Sequence, residues 1–291
     1  MRRPRLTLVA VCSGWGTIPL LVRHVDLPAQ AIVFSRLAIA AVGLGAALAW
    51  ERRTGRRTGP PVGSWRPVLC VLTAAVLAFH WVSLFAAYQR APSSTVILIV
   101  YLAPVGIAAL SPRFLGERHS RRTLIALALG AAGFGLVVGP ALRSSDAAVT
   151  TAGLVLAGLA GCSFVALVLL SKPLAEAYGG LRTAFIEMAG ASVLLLPVAA
   201  LTGWGPPRPT WAWLVVLGLV HTALGTGLYL GALARVPATA VGILGYLEPA
   251  AVVLLGWLFL HESPAPATLA GGILIVLAGW LTVTEVPLAR R

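Results

Sequence analysis

Residues 237–262 read P-A-T-A-V-G-I-L-G-Y-L-E-P-A-A-V-V-L-L-G-W-L-F-L-H-E, and this stretch decides the fold. It is long and apolar enough to cross a bilayer, yet Glu248 and Pro249 lie near its middle. An ionisable residue at that depth costs about 2.5–3.5 kcal/mol on insertion scales and so requires a reason. The proline removes a backbone donor, and its ring clashes with the carbonyl four residues back, that of Gly245. A carbonyl freed in this way is tolerated beside protein or in a wet cavity, never facing lipid. A carboxylate next to a broken helix at the midplane is the pattern of a transport site.

The stretch has an earlier counterpart. Setting Arg90 against Arg235 gives an offset of 145 residues, half of the chain, and in that frame Pro92 meets Pro237 and Val96 meets Val241. Tyr101-Leu102 meets Tyr246-Leu247, Pro104 meets Pro249, Leu115 meets Leu260 and Glu117 meets Glu262, without a gap. The chain therefore reads as two homologous halves, 1–145 and 146–291. One difference matters: Glu248 faces Ala103, so the charge belongs to one half only.

Composition sets the solvent. Apolar residues are 58% of the chain, charged residues 11%, and the mean hydropathy is +0.91. These values describe an all-α polytopic membrane protein with no room for a soluble domain. The net charge of +13 would suggest nucleic acid in a soluble chain. Here the arginines occupy short loops between apolar runs, which is a topology signal, and no nucleic-acid-binding module is visible.

Ten spans are expected, at about 6–22, 29–49, 66–88, 94–112, 122–140, 151–171, 183–202, 210–232, 238–260 and 266–284. Each holds about 17–23 residues, enough for a core of about 30 Å. On one side of the membrane fall Arg2, Arg3, Arg5, Arg52, Arg53, Arg56, Arg57, Arg66, Arg113, Arg118, Arg121, Arg122, Lys172, Arg182, Arg235, Arg290 and Arg291. The other side has Arg23, Arg90, Arg143 and Arg208, while Arg36 lies within a span. This asymmetry places both termini in the cytoplasm. With five spans per half, the second half enters upside down, giving an inverted repeat with its site at the repeat interface. The first 31 residues also imitate a signal peptide ending at Ala29-Gln30-Ala31, but cleavage there would leave the first half one span short. Cys12, Cys70 and Cys162 lie within spans without ligand spacing and read as small apolar residues, so neither disulfide nor metal is expected.

Further motifs carry a resemblance. Gly14-Trp15-Gly16 lies in the first span and Ser35-Arg36 in the second. Tyr101-Leu102-Ala103-Pro104 leads to Leu115-Gly116-Glu117-Arg118, and Leu247-Glu248-Pro249 leads to Leu260-His261-Glu262, with Gly271-Gly272 in the last span. On these residues the chain resembles the EamA family of the drug/metabolite transporter superfamily, over essentially its whole length. The resemblance implies a bacterial inner-membrane permease of ten spans in two inverted repeats. Substrates in the family include amino acids, other metabolites and drugs, mostly exported. His261 departs from the pattern, since a glycine is usual there and Gly116 keeps it in the first copy.

Glu248 is the leading candidate: it can bind a substrate amine, carry a coupled proton, or brace two helices. Arg36 lies about 10 Å inside the outer edge of its span, where it can snorkel outward or turn inward to Glu248 or a substrate carboxylate. Glu187, in the seventh span, aligns roughly with Arg36 across the repeat and either lines the path or is paired locally. His80 and His221 are the mid-span histidines of the third and eighth spans. Helical spacing places His80, Ser83 and Ala87 on one face and Trp81, Phe85 and Tyr88 on the next; Thr222, Thr226 and Tyr229 share another, with His221 and Gly225 beside it. The aromatic rings suit amines and small ring systems, or else simply pack. Tyr101 and Tyr246 each share a face with the helix-breaking Pro104 and Pro249, and Tyr246 joins Glu248 in one cavity only if the helix unwinds. Trp15 completes the candidate substrate-binding set. Gly135-x3-Gly139 and Gly227-x3-Gly231 read as close helix crossings, and the basic loop 51–66 as a headgroup contact.

No Walker A loop, metalloprotease motif, Asp-rich diphosphate motif or Ser-His-Asp set is present in the sequence. The expected function is a gradient-driven secondary transporter of a small metabolite, an amino acid or related compound first, working by alternating access as a monomer or homodimer. A proton is the simplest coupling ion, and facilitated diffusion fits equally well; no cofactor is called for. The alternative is a membrane-embedded enzyme or flippase acting on a lipid or isoprenoid substrate.

Overall fold

The computed structural model describes residues 2–22, 24–55, 66–91, 93–143, 150–201, 210–260 and 264–284. Among them no strand occurs, and ten helical spans are long and apolar enough to cross a membrane. Helices α1 (Arg2–Trp15) and α2 (Ile18–Val22) make the first span, α3 (Ala29–Thr54) the second and α4 (Pro67–Tyr88) the third. The fourth is split into α5 (Ser93–Val100) and α6 (Ala103–Leu115), followed by α7 (Arg121–Arg143), α8 (Thr151–Tyr178) and α9 (Gly180–Leu201). The eighth comprises α10 (Thr210–Val216), a π-helical segment over Leu217–Leu224, and α11 (Gly225–Leu233). The ninth is split into α12 (Ala238–Gly245) and α13 (Leu247–Leu260), and α14 (Pro266–Val283) closes the bundle.

Both expected breaks are present, and chemistry sets where they fall. α5 ends at Val100 and α12 at Gly245, each the residue four before the proline whose ring would collide with its carbonyl. Pro104 then stands in the first turn of α6 and Pro249 in the first turn of α13, where a missing N–H leaves nothing unsatisfied. The two broken spans cross each other. The Cβ position of Gly242 lies 3.2 Å from the Pro104 Cα, and the Ser111 and Thr239 hydroxyls are 3.1 Å apart.

The remaining packing has a regular pattern. α3 packs on α9, α7 on α14 and α6 on α12. α8 packs on α4 and α6, as α1 packs on α11 and α13. The first span is a working part of this core, with Leu8 and Cys12 fully buried. On the outside, Val68, Phe114, Val193, Phe259 and Ile273 are exposed, a surface suited to hydrocarbon.

Two helices extend past their expected ends. α8 continues through Lys172 and Pro173 to Tyr178, because the lysine finds backbone carbonyls rather than water. α3 runs on to Thr54 and stops at Gly55, whose φ of 67° is the left-handed turn that favours glycine. The close crossings need one correction. A Cβ on Gly180 would lie 2.2 Å from the Gly231 amide nitrogen and 2.4 Å from the Gly227 carbonyl, so the second glycine pair does pack tightly, against α9. Gly135 and Gly139 meet nothing within 4 Å; the close approach of α7 is made by Gly133 against Gly271 of α14. Spacing alone does not reveal which face of α7 turns inward. Arg23, Pro92, Arg208, His261, Glu262, Arg290, Arg291 and residues 56–65 lie outside the described residues.

Gly180→Ala is expected to lower stability by about 1–3 kcal/mol through overpacking. Gly135→Ala, facing open space, should be neutral to stabilising. Thermal unfolding of the two variants in one detergent checks the contrast.

Candidate functional site

The break between α12 and α13 puts Glu248 in the first turn of α13, where a carboxylate is favoured by the helix dipole. It is surrounded by protein yet keeps part of its accessible surface, as the wall of an internal space does. Its hydrogen-bonding neighbour is the Tyr101 hydroxyl, at the break of the other split span. The two discontinuities, far apart in sequence, thus meet around one carboxyl.

Opposite stands Arg36 of α3, turned inward rather than snorkelling outward. Its Nε donates to the Thr222 hydroxyl at 3.2 Å, and its guanidinium lies 5.7 Å from the centroid of Trp81. Arg36 and Glu248 sense each other electrostatically, but among the described residues they form no ion pair. The terminal guanidinium nitrogens have no acceptor there either. A cation and an anion are therefore held near each other while each keeps binding capacity.

The π-helical segment explains how Thr222 reaches Arg36. Thr222 Oγ1 donates to the carbonyl five residues back, Leu217, at 2.8 Å. The extra residue in the turn changes which side chains face the interior, so the α-helical face assigned to Thr222, Thr226 and Tyr229 is interrupted. Such segments frequently mark functional sites. His221, within it, bonds the Thr17 hydroxyl through Nε2 at 2.8 Å, and its carbonyl accepts from Trp15 Nε1 at 2.8 Å. The Trp15 ring lies 5.3 Å from that of Tyr229. Trp15, His221 and Tyr229 are thereby joined in one wall.

The other wall comes from α4. Trp81 stacks on Phe85 at 5.8 Å, and Phe85 contacts Tyr88 at 6.4 Å, the aromatic face expected from helical spacing. The indole N–H of Trp81 is buried and has no acceptor among the described residues. A buried donor left unpaired is costly, and a ligand atom is one way to satisfy it.

Three candidates lie apart from this space. His80 is buried and packed against α8, bonding the Ala160 carbonyl at 2.9 Å and the Ser163 hydroxyl at 3.3 Å. Tyr246 is fully buried in a stack with Tyr101 and Phe134, and its hydroxyl donates to the Tyr101 carbonyl at 3.1 Å. Glu187 is buried beside Ser171, whose hydroxyl donates to it at 2.5 Å. Pro104 and Pro249 act through the backbone.

One cluster was not anticipated. The Glu117 carboxylate accepts the Ala238 amide at 2.7 and 2.9 Å, capping α12, and Lys172 Nζ lies 3.6 Å from it. Lys172 also donates to the Leu233 and Val236 carbonyls at 2.9 and 2.5 Å. These bonds tie α6, α8, α11 and α12 together. Lys172 is the only lysine in an otherwise arginine-rich chain, the one sequence signal that singles it out.

The geometry can now be set beside known proteins. An uncharacterized transporter of Archaeoglobus fulgidus is 30% identical over 96% of this chain and 97% of its own. A probable terminal-alkyne amino-acid exporter of Streptantibioticus cattleyicolor is 30% identical over 88% and 84%. The threonine/homoserine exporter RhtA of Escherichia coli is 29% identical over 72% and 71%. A solved crystal structure superposes with a TM-score of 0.80 over 97% of this chain and 98% of that one, at 20% identity, which speaks to the fold alone. The model of the EamA-like transporter family matches residues 4–139 and 151–284. With nearly all of its length matched, and with the broken spans inside the matched regions, the chain belongs to the EamA-like transporter family.

Proposed function

We propose that the protein exports a small zwitterionic metabolite, an amino acid or a close relative, by alternating access across the bacterial inner membrane. The observation that carries this is the pair Arg36 and Glu248, opposite charges at the meeting point of two broken spans without an ion pair between them. Arg36 takes the carboxylate, with the unpaired Trp81 N–H beside it, and Glu248 takes the ammonium. Trp15, Tyr229 and Phe85 flank the side chain. The amino-acid exporters among the relatives point to the same chemistry.

The helix pairings support an inverted repeat. Each contact of α8 with α4 and α6 has its counterpart in a contact of α1 with α11 and α13, as a two-fold axis in the membrane plane would generate. In this reading both termini face the cytoplasm, on the side of the arginine-rich loops. The Glu117–Lys172 cluster lies at that end and acts as the inner gate, opening when the halves rock. Energy comes from an ion or solute gradient.

Two predictions follow from these roles. An amino acid present at about 100 times its dissociation constant should stabilise the wild type by about 2.7 kcal/mol in thermal unfolding. Glu248→Gln should remove that response while unfolding at a similar temperature alone; an undiminished response would take Glu248 out of the binding site. For the gate, Glu117→Gln breaks a buried charge pair, a loss of about 3–5 kcal/mol, and should populate the inward-open form. Thr239→Cys, in a background with the three native cysteines replaced by alanine, should then react faster with a thiol reagent at the cytoplasmic face. Equal rates with and without Glu117→Gln would exclude Glu117 from the gate.

A further inference from the structure

We infer that Glu187 is a proton-binding site separate from the substrate site and coupled to it across Tyr229. The inference rests on the exporter reading for the identity of the coupled solute and for the gate through which the proton leaves, though not for the proton site itself.

Glu187 is a carboxyl at 2% exposure, and its hydrogen-bond partner is the Ser171 hydroxyl, with an O–O separation of 2.5 Å. The groups around it come from four packed helices. α8 supplies Ser171, and the adjoining Lys172 is engaged by Glu117, Glu176 and two backbone carbonyls. α11 supplies the Tyr229 phenol. α4 brings Cys70 against the neighbouring Ile186, and α3 brings Gly45 against Phe185. Arg182, on α9 itself, lies more than a turn before Glu187. Among the described residues none of these helices offers Glu187 an ion-pair partner.

A buried carboxylate without a cation is strongly disfavoured, and a single hydroxyl does not replace its hydration. In these surroundings the neutral acid is the favoured form of Glu187, and water must reach it before it ionises. Glu248 differs in having a cation, Arg36, within electrostatic range, where the substrate ammonium can join it.

Tyr229 connects Glu187 to the substrate site through packing. It stands on α11, whose backbone touches α9 at Gly180, and its ring packs on Trp15 in the wall of the substrate site. A change of charge on Glu187 that shifts α9 shifts α11 with it, and so the wall against which the substrate is held. By linkage the effect is reciprocal, and exchange requires that substrate binding favour proton release. Release has a route: Ser171 precedes Lys172, so separating Lys172 from Glu117 brings water to the Ser171–Glu187 pair at the end where the gate opens. The proton passes from the Glu187 carboxyl to that water, leaving the carboxylate. This is the order of events that proton-for-substrate exchange requires.

The experiment has two arms. Infrared titration of the purified protein, reading the carbonyl stretch of protonated carboxyls from acidic to alkaline pH, should show a titrating band. It should be lost in Glu187→Gln, shifted in Glu187→Asp and kept in Glu248→Gln. A band unchanged by Glu187→Gln overturns the proton site. The second arm uses proteoliposomes with a trapped pH dye and labelled L-threonine. Glu187→Gln should reduce threonine-driven proton movement by about tenfold or more while threonine exchange persists. Equal loss of exchange and proton movement means a structural role and overturns the coupling. Failure of the wild type to exchange threonine or any other amino acid tested overturns the exporter reading, leaving the infrared arm to decide the proton site.

Discussion

The structure depends on one constraint, that a backbone carbonyl in an apolar medium must be satisfied or sheltered. A proline in mid-span violates it once in each broken span, freeing the carbonyls of Val100 and Gly245. The response is local and doubled: both spans end there and restart after one or two residues, and α6 of the one lies against α12 of the other. Everything polar at the centre follows. The new start of α13 attracts Glu248, the break in the other span presents Tyr101 to it, and the crossing brings Ser111 to Thr239. A straight pair of spans would have no interior place for a carboxylate.

Much of this was legible from residues alone. The ten spans follow from hydropathy, and both breaks follow from Pro104 and Pro249. Arg36 and Glu248 are conspicuous because a charge at such depth has few reasons to exist. Tyr246 shows where that reasoning stops. Its spacing from Pro249 places it on the proline's face, but only packing decides that Phe134 and Tyr101 enclose the ring. Thr222 illustrates the same limit, because a π-helical segment has no sequence signature and shifts the register on which face assignments depend. The glycines of α7 teach a third version, in that Gly133 and Gly135 are equally small and only the neighbouring helix distinguishes them.

The two stretches that match the family model, residues 4–139 and 151–284, are unlike in charge. Ala103 occupies the place that Glu248 holds in the other copy, and the buried pair of Glu117 and Lys172 joins elements from both halves. The charges at the centre are thus drawn from both halves, Arg36 from the first and Glu248 from the second. Aromatic rings come from both halves, Trp15 and Trp81 from the first and Tyr229 from the second, so the space they enclose exists only while the halves face each other.

The contact of Gly180 with Gly227 and Gly231 has a mechanical consequence. Two backbones touching without intervening side chains cannot adjust by the rotamer changes available to ordinary helix interfaces, so the crossing of α9 and α11 admits no larger side chain without a backbone shift. Glu187 stands on one of these helices and Tyr229 on the other, so the crossing sets the spacing between them. α8 meets the same two helices through side chains instead, Ser171 reaching Glu187 of α9 and Lys172 the Leu233 carbonyl of α11.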